Sequence, residues 1–531
     1  MPQPLMPQSL TPLPLRTLPL RTVAALFATG LLLAGCAGSH PTGAHPAAGP
    51  AAPAPLQPLP AAVPAELTPY YTQRLSWQPC DNGFQCATVK VPLDYAHPTA
   101  GDLTLGAVRR PADGAGGAPR TGSLLLNPGG PGGSAVEYAE AVASSYPPEV
   151  RAGYDLVGLD PRGVGRSSPV SCLSGDRMDA FTAVTPAPHD QHEIDQLIAA
   201  DREFADGCAQ HSGALLGHVS TVESARDMDV LRAVLGDDKL NYVGKSYGTL
   251  LGATYAGLFP SRVGRMVLDG AMDPALDAVT GNRAQAGGFE TAWSSFAKDC
   301  GSRTDCPLGT DEQQAGRQLD ALLGSLDAHP LPGAGARKLT EALGVTGVLA
   351  AMYAPPAWPQ LRSALAAARA GDGSSLLRLS DAYYERAADG SYRNLMFANA
   401  AVDCLDLPPA FNSPAEVAKA LPQFQQASPH FGTDLAWMGL SCAYWPVKAT
   451  GAPHTIRAAG AAPIVVVGTT RDPATPYAWA RSLAGQLESG RLVTYDGDGH
   501  TAYGRHDDCV DSAVNRYLVE GQPPADGLRC S

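Results

Sequence analysis

Three residues of this 531-residue chain have the types and the order needed for nucleophilic acyl chemistry. Ser246 stands in "VGKSYG", between Gly244 and Gly248. A serine hydroxyl attacks a carbonyl only if a general base takes its proton, and that base needs an orienting carboxylate. Asp472 in "VVVGTTRDPATP" and His500 in "VTYDGDGHTAYG" follow along the chain. The Gly-x-Ser-x-Gly pattern alone decides little. With 57 glycines, and serine at about 6% of residues, it arises by chance roughly 0.4 times in such a chain. Context has to carry the assignment.

Each of the three residues follows a short apolar run bounded by Gly, Pro or Asp, as buried parallel strands do. The runs are "QCATVKVPLDY" (85–95), "LTLGAVRR" (103–110), "GSLLLNPGG" (122–130), "YDLVGLDPRG" (154–163), "LNYVG" (240–244), "RMVLDG" (265–270), "APIVVVGTTRDP" (462–473) and "RLVTYDGDGH" (491–500). Helical patterns lie between them, "TVESARDMDVLRAVLG" before the Ser246 strand and "YGTLLGATYAGLF" after it. This alternation predicts a doubly wound, mostly parallel α/β sheet. The interval from Gly270 to Pro463 is too long for an ordinary crossover. Its helical patterns ("GRQLDALLGSLDA", "WPQLRSALAAARAG") predict a cap over residues 275–455, inserted between core segments 69–274 and 456–531.

Placed between strand and helix, Ser246 reads as a nucleophile elbow whose Oγ stands clear of the backbone. The N–H of Tyr247, at the helix start, can face a developing oxyanion. A second donor is expected in "LLLNPGGPGGSAVEY", where side-chain-free backbone can approach a substrate carbonyl; Gly130 is favoured. The order serine, aspartate, histidine is that of α/β-hydrolases. Of the 12 histidines only His500 and His506 lie beyond the last two strands, and only His500 directly follows one. Asp496 and Asp498 of "DGDG" read as loop residues.

The N-terminus reads as an export signal. Arg16 and Arg21 precede the apolar run Val23–Leu33, too short to span a bilayer. The run ends in "LAGC", which resembles a bacterial lipobox and implies removal of residues 1–35 and lipid on Cys36, a membrane anchor; ordinary secretion with Cys36 incidental is the alternative. Residues 36–68, dense in Ala, Pro and Gly, read as a disordered tether. Ten cysteines remain besides Cys36, an even number suited to an oxidising compartment. Close spacing suggests Cys80–Cys86, Cys300–Cys306 and Cys509–Cys530, with the full connectivity left open. A net charge of −13 and the lack of a basic stripe argue against nucleic acid. "HDQHEID" from His189 reads as a solvated loop, not a metal site. "GVGRSS" (163–168) lacks a full dinucleotide fingerprint, so no cofactor is expected.

With these residues placed, the chain resembles the secreted tripeptidyl aminopeptidases of actinobacteria, serine peptidases related to prolyl aminopeptidases. The resemblance rests on "VPLDY", "NPGGPGGS", "YDLVGLDPRGVGRSSPVSC", "GKSYGTLLGATYAGLFP", "RMVLDG" and the C-terminal "GDGHTAYG…YLVEGQPPADGLRC", over roughly 70–531. It implies an α/β-hydrolase fold with Ser246 as nucleophile, Asp472 as acid and His500 as base, acting on peptide or protein N-termini.

An aminopeptidase must also pair the substrate ammonium with a carboxylate. "ANAAVDCLD" offers Asp403 and Asp406 beside Cys404, which pairs with Cys442 in this reading; Glu137 and Glu385 are weaker candidates. Trp358 and Tyr353 are aromatic candidates for the pocket. Two other functions fit the same residues. One is an esterase or lipase, since one triad serves esters and amides; the other is an anchored binding protein with a vestigial triad.

Overall fold

The computed structural model describes residues Pro53–Ser531. The export signal, Cys36 and the tether as far as Ala52 lie outside the described residues.

The strands are β1 (Gln78–Pro79), β2 (Gln85–Pro92), β3 (Asp102–Arg110), β4 (Gly122–Asn127), β5 (Tyr154–Leu159), β6 (Leu240–Lys245) and β7 (Val263–Asp269). A two-residue hairpin follows, β8 (Leu331–Pro332) and β9 (Lys338–Leu339), and then β10 (Ile464–Arg471), β11 (Gly490–Asp498) and β12 (Leu528–Cys530). Ten of them form one sheet in the order β1-β2-β3-β5-β4-β6-β7-β10-β11-β12. The β1–β2, β2–β3 and β3–β5 pairs are antiparallel, and from β5 to β12 every pair is parallel.

The central strands are mostly apolar because both faces are covered. All six residues of β4 and of β5 are buried. Successive side chains go to opposite faces: Leu125 and Val157 join one core, while Leu124, Leu126 and Leu156 join the other. The helix Thr221–Val234 starts at a capping box in which the Ser220 side chain accepts the N–H of Glu223. Sequence patterning missed β1 and β12. Both are edge strands too short to show a period, and the Cys509–Cys530 bridge pins β12.

Between β7 and β10 the chain is mainly helical, with the small β8–β9 hairpin as an exception. Trp293, Phe296, Leu319, Leu343, Leu361 and Phe424 build a core separate from the two on the sheet. The helix Leu395–Asp406 departs from that grouping. Its Phe397, Ala401, Val402 and Leu405 are buried in the sheet-side core, so this segment is packed as part of the hydrolase body.

Two other expectations are corrected. The described end of the Pro-rich segment is docked, not free: the Leu56 N–H bonds Thr455 O at 2.8 Å, Leu59 N–H bonds Leu258 O at 2.9 Å, and Leu67 is buried. Leucines spaced among the prolines supply apolar anchors that composition alone conceals. "HDQHEID" is not a loop. Asp190 caps a helix over Gln191–Ser212 by accepting the Glu193 N–H, and His189 precedes it.

All ten described cysteines are paired: Cys80–Cys86, Cys172–Cys208, Cys300–Cys306, Cys404–Cys442 and Cys509–Cys530. Five bridges belong to a chain that matures in an oxidising, extracytoplasmic setting. Among the described residues no helix is long and apolar enough to cross a membrane.

Candidate active site

Ser246 joins β6 to the helix Tyr247–Leu258 with φ 56° and ψ −126°, a conformation side chains adopt only under constraint. The constraint is mutual packing of strand and helix. A Cβ on Gly244 would fall 2.3 Å from Gly248 O, and one on Gly248 would fall 2.7 Å from Asn127 Oδ1, so both positions require glycine. The Ser246 N–H donates to Asp269 O at 2.9 Å, and its carbonyl accepts the N–H and hydroxyl of Thr249 at 2.8 and 2.6 Å. The strained turn is thereby fixed from both sides.

The glycine loop after β4 lies directly against the elbow. A Cβ on Gly129 would come within 2.9 Å of both Ser246 Cβ and the Tyr247 amide nitrogen. The Gly129 N–H is already held by Asn127 Oδ1 at 2.9 Å, and its carbonyl accepts the Gly133 N–H at 3.0 Å. Proline at 131 has no N–H to offer, which leaves the Gly130 N–H in this loop and the Tyr247 N–H at the helix start. Among the described residues neither has an intramolecular acceptor. Two such N–H groups at the mouth of a helix are what a tetrahedral oxyanion needs.

His500 follows β11. Its Nδ1 lies 2.9 and 3.0 Å from the two oxygens of Asp472, which follows β10. The Asp472 carboxylate is fully buried and also accepts the N–H groups of Ala474, Thr475 and Thr501 at 2.9, 2.8 and 3.1 Å, the surroundings a buried negative charge requires. The His500 N–H donates to Tyr353 O at 2.7 Å, and the two rings meet edge to face at 5.5 Å. His500 Nε2 is buried and forms no hydrogen bond, Ser246 Oγ included. Such catalytic bonds often tighten only with substrate bound.

The structure thus brings Asp472 and His500 into contact beside the elbow. His506 is exposed and outside this contact. Asp496 and Asp498, read as loop residues, lie within β11 and pair with Arg471 at 3.0 and 2.9 Å.

The two acids of "ANAAVDCLD" part company. Asp406 accepts the Thr221 N–H at 2.9 Å and also the Thr221 hydroxyl, which is shared with Tyr247 Oη. It therefore anchors the start of the helix before β6. Asp403 has no hydrogen-bond or ion-pair partner among the described residues, and it is exposed to solvent. Desolvation first, and then the neighbouring Asp406, push its pKa up to about 7. Four residues before it on the same helical face, Asn399 donates to Pro131 O at 3.3 Å in the glycine loop. The exposed Tyr383 lies within the field of Asp403 and packs at a tilt near Tyr353, ring centroids 6.2 Å apart.

Of the other candidates, Glu137 is paired with Arg393, while burial raises the pKa of Glu385 against the opposing Arg393 charge. Trp358 packs on Phe296 in the cap core, 6.0 Å between centroids, and not on the site. A cavity of about 590 Å³ between Phe181, Glu203 and Glu341 contains no residue of the Ser246–His500–Asp472 set, and its Arg177 is paired with Glu203. Sequence reading missed Asp269 and Thr475, although each sits at or just past a strand end, where catalytic groups gather.

The division of labour between the two acids has a measurable outcome. Asp406→Ala is expected to lower the unfolding free energy by about 2 kcal/mol, because the Thr221 N–H is left unpaired. Activity on unblocked peptides should be retained. Urea unfolding and kinetics on one preparation check both, and a loss of activity with intact stability would reverse the assignment.

A parallel sheet with a strained serine after β6, a histidine after β11 and a buried aspartate after β10 defines an α/β-hydrolase of the serine type. Comparison with known proteins narrows this. Residues 428–530 match the family of TAP-like proteins. Serine protease Hip1 of Mycobacterium tuberculosis is 36% identical over 87% of this chain and 92% of its own length. Tripeptidyl aminopeptidase of Streptomyces lividans is 32% identical over 86% of each chain, and carboxylesterase B of M. tuberculosis is 39% identical over 84% of this chain and 86% of its own. The chain belongs to this family of TAP-like serine hydrolases. A solved proline iminopeptidase from Mycobacterium smegmatis aligns over 82% of this chain and 98% of its own at 16% identity and a TM-score of 0.29, which adds no weight.

Proposed function

We propose that this chain is an exported serine exopeptidase that holds a free peptide amino terminus on Asp403 and releases a short N-terminal fragment, a tripeptide, through Ser246, His500 and Asp472. The observation that carries the reading is an accessible, unpaired carboxylate on the helical face whose Asn399 touches the glycine loop. A substrate ammonium supplies the partner that carboxylate lacks, and its distance from Ser246 fixes which bond is presented.

His500 Nε2 takes the Ser246 proton as Oγ attacks the carbonyl. The Tyr247 and Gly130 N–H groups receive the oxyanion, and Asp472 steadies the imidazolium that forms. The proton passes to the leaving amine, and water repeats the sequence on the acyl-enzyme. Relatives named serine protease and tripeptidyl aminopeptidase support the peptidase reading. In this reading residues 1–35 are removed, Cys36 carries lipid, the enzyme works at the outer face of the membrane, and residues 275–455 form the substrate-selecting cap.

The test is hydrolysis of chromogenic one-, two- and three-residue substrates with free and acetylated amino termini by the mature chain. Cleavage of free tripeptides, with acetylated ones at least about tenfold poorer, is the expected result. Equal cleavage of blocked substrates, or activity on simple esters alone, replaces this reading with a general serine hydrolase, and ester activity alone would match the name of the carboxylesterase relative.

A further inference from the structure

Asp269 ends β7 and is fully buried. A carboxylate in the interior needs partners, and those of Asp269 all belong to the two catalytic loops. Its backbone carbonyl accepts the N–H of Ser246 at 2.9 Å. Its carboxylate oxygens accept the Ala502 N–H at 2.9 and 3.1 Å and the Tyr503 N–H at 2.9 Å, two and three residues past His500. Lys245, the residue before the nucleophile, is paired in register with Asp269 across β6 and β7. Its Nζ lies 3.8 Å from Asp269 Oδ2 and donates to Tyr503 O at 2.6 Å.

The residue after Asp269 serves the same junction. Gly270 has φ +70°, and a Cβ there would stand 3.2 Å from His500 Cε1, so the imidazole lies directly over the end of β7. Around the carboxylate the titratable groups are Lys245, His500 and the phenols of Tyr138, Tyr146 and Tyr503. Burial pushes the Asp269 carboxyl up, while the Lys245 ammonium and the two N–H groups act in the opposite direction.

Asp472 alone does not set the distance from His500 to Ser246. It governs rotation of the imidazole through Nδ1 but comes from β10, two strands from the elbow. We propose that Asp269 and Lys245 are positioning residues for acyl transfer, clamping the loop that carries His500 to the turn that carries Ser246. This rests on Ser246 and His500 being nucleophile and base. Asp472 orients the ring, and Asp269 with Lys245 sets its reach. Displacement of such a group by about 1 Å costs on the order of 10²-fold in rate.

The test compares Asp269→Asn and Lys245→Met with the parent and with Ser246→Ala, all as the mature chain, on an unblocked tripeptide substrate. Active sites are counted by a fluorophosphonate carried to completion, so kcat is expressed per competent serine. The expected result is a fall in kcat of about 10²-fold for Asp269→Asn and about tenfold for Lys245→Met, with KM unchanged. The rate of phosphonylation should fall by the same factors. A merely structural role would reduce the number of titrated sites and leave kcat per site at the parent value, and that result overturns the proposal. If Asp269→Asn fails to fold, Lys245→Met decides, with parental kcat per site again the overturning result. Full activity in Ser246→Ala would instead remove the nucleophile reading on which the proposal stands.

Discussion

Ser246→Ala is expected to lower kcat/KM by about 10⁵-fold or more, with substrate binding and Tm kept close to the parent. The reason is visible in the elbow. The φ of 56° at this position belongs to the backbone and is held by Asp269 O and Thr249, so alanine inherits the same strained turn. What it loses is the oxygen that forms the acyl-enzyme. His500→Ala should cost a similar factor, because a serine without a base gains nothing from the oxyanion donors until it has attacked. The double variant should be no worse than either single one, since residues that act as a unit are not additive. Independent, additive losses would mean that Ser246 and His500 do not share a proton.

The second large effect is confined to one end of the substrate. Asp403→Asn is expected to cut kcat/KM for unblocked tripeptides by about 10³-fold, because a desolvated ammonium is left without its counter-charge. Acetylated substrates should be unaffected. The pH dependence follows with a definite sign. Binding needs Asp403 ionised and the substrate amine protonated; burial places the former at about 7, and α-amino groups titrate at about 7.7–8.0. The ratio of kcat/KM for free over acetylated substrate should therefore peak between these values, and its acidic limb should vanish in Asp403→Asn. Taking the ratio removes every group that both substrates share.

The same shift predicts an opposite effect on stability. In the unfolded chain Asp403 titrates near 3.9, below its folded value of about 7. The folded state thus binds the proton more tightly, and keeping Asp403 ionised opposes folding increasingly from about pH 4 up to pH 7. Asp403→Asn should raise Tm at pH 8 and leave it nearly unchanged at pH 4. A residue that the fold would be more stable without is one retained for function.

The proposed catalytic residues are legible in the sequence because each sits at the end of an apolar strand, and strand ends survive as local patterns. Ser246, Asp472, His500 and the glycines after β4 all carry that mark. Asp269 carries it too, in "VLDG", but nothing local tells that its carboxylate turns toward a loop more than two hundred residues away. The separation of Asp403 from Asp406 was equally hidden. The two lie three residues apart on one helix, and what sets them apart is Thr221, brought over from the start of another helix. The helix Leu395–Asp406 looked like part of the cap because it lies in the insertion, whereas its apolar face is buried on the sheet. The Cys172–Cys208 bridge spans 36 residues of chain and leaves no local trace.

The inserted segment touches the loops that carry His500 and Asp472 and the glycine loop after β4. The Tyr353 carbonyl receives the His500 N–H, Gly288 packs so closely on the acid loop that a Cβ would fall 2.5 Å from Pro473 O, and Asn399 donates to Pro131 O. The insertion and these loops are therefore braced against one another, so a substitution at Tyr353 or Gly288 also disturbs the backbone that carries His500 or Asp472.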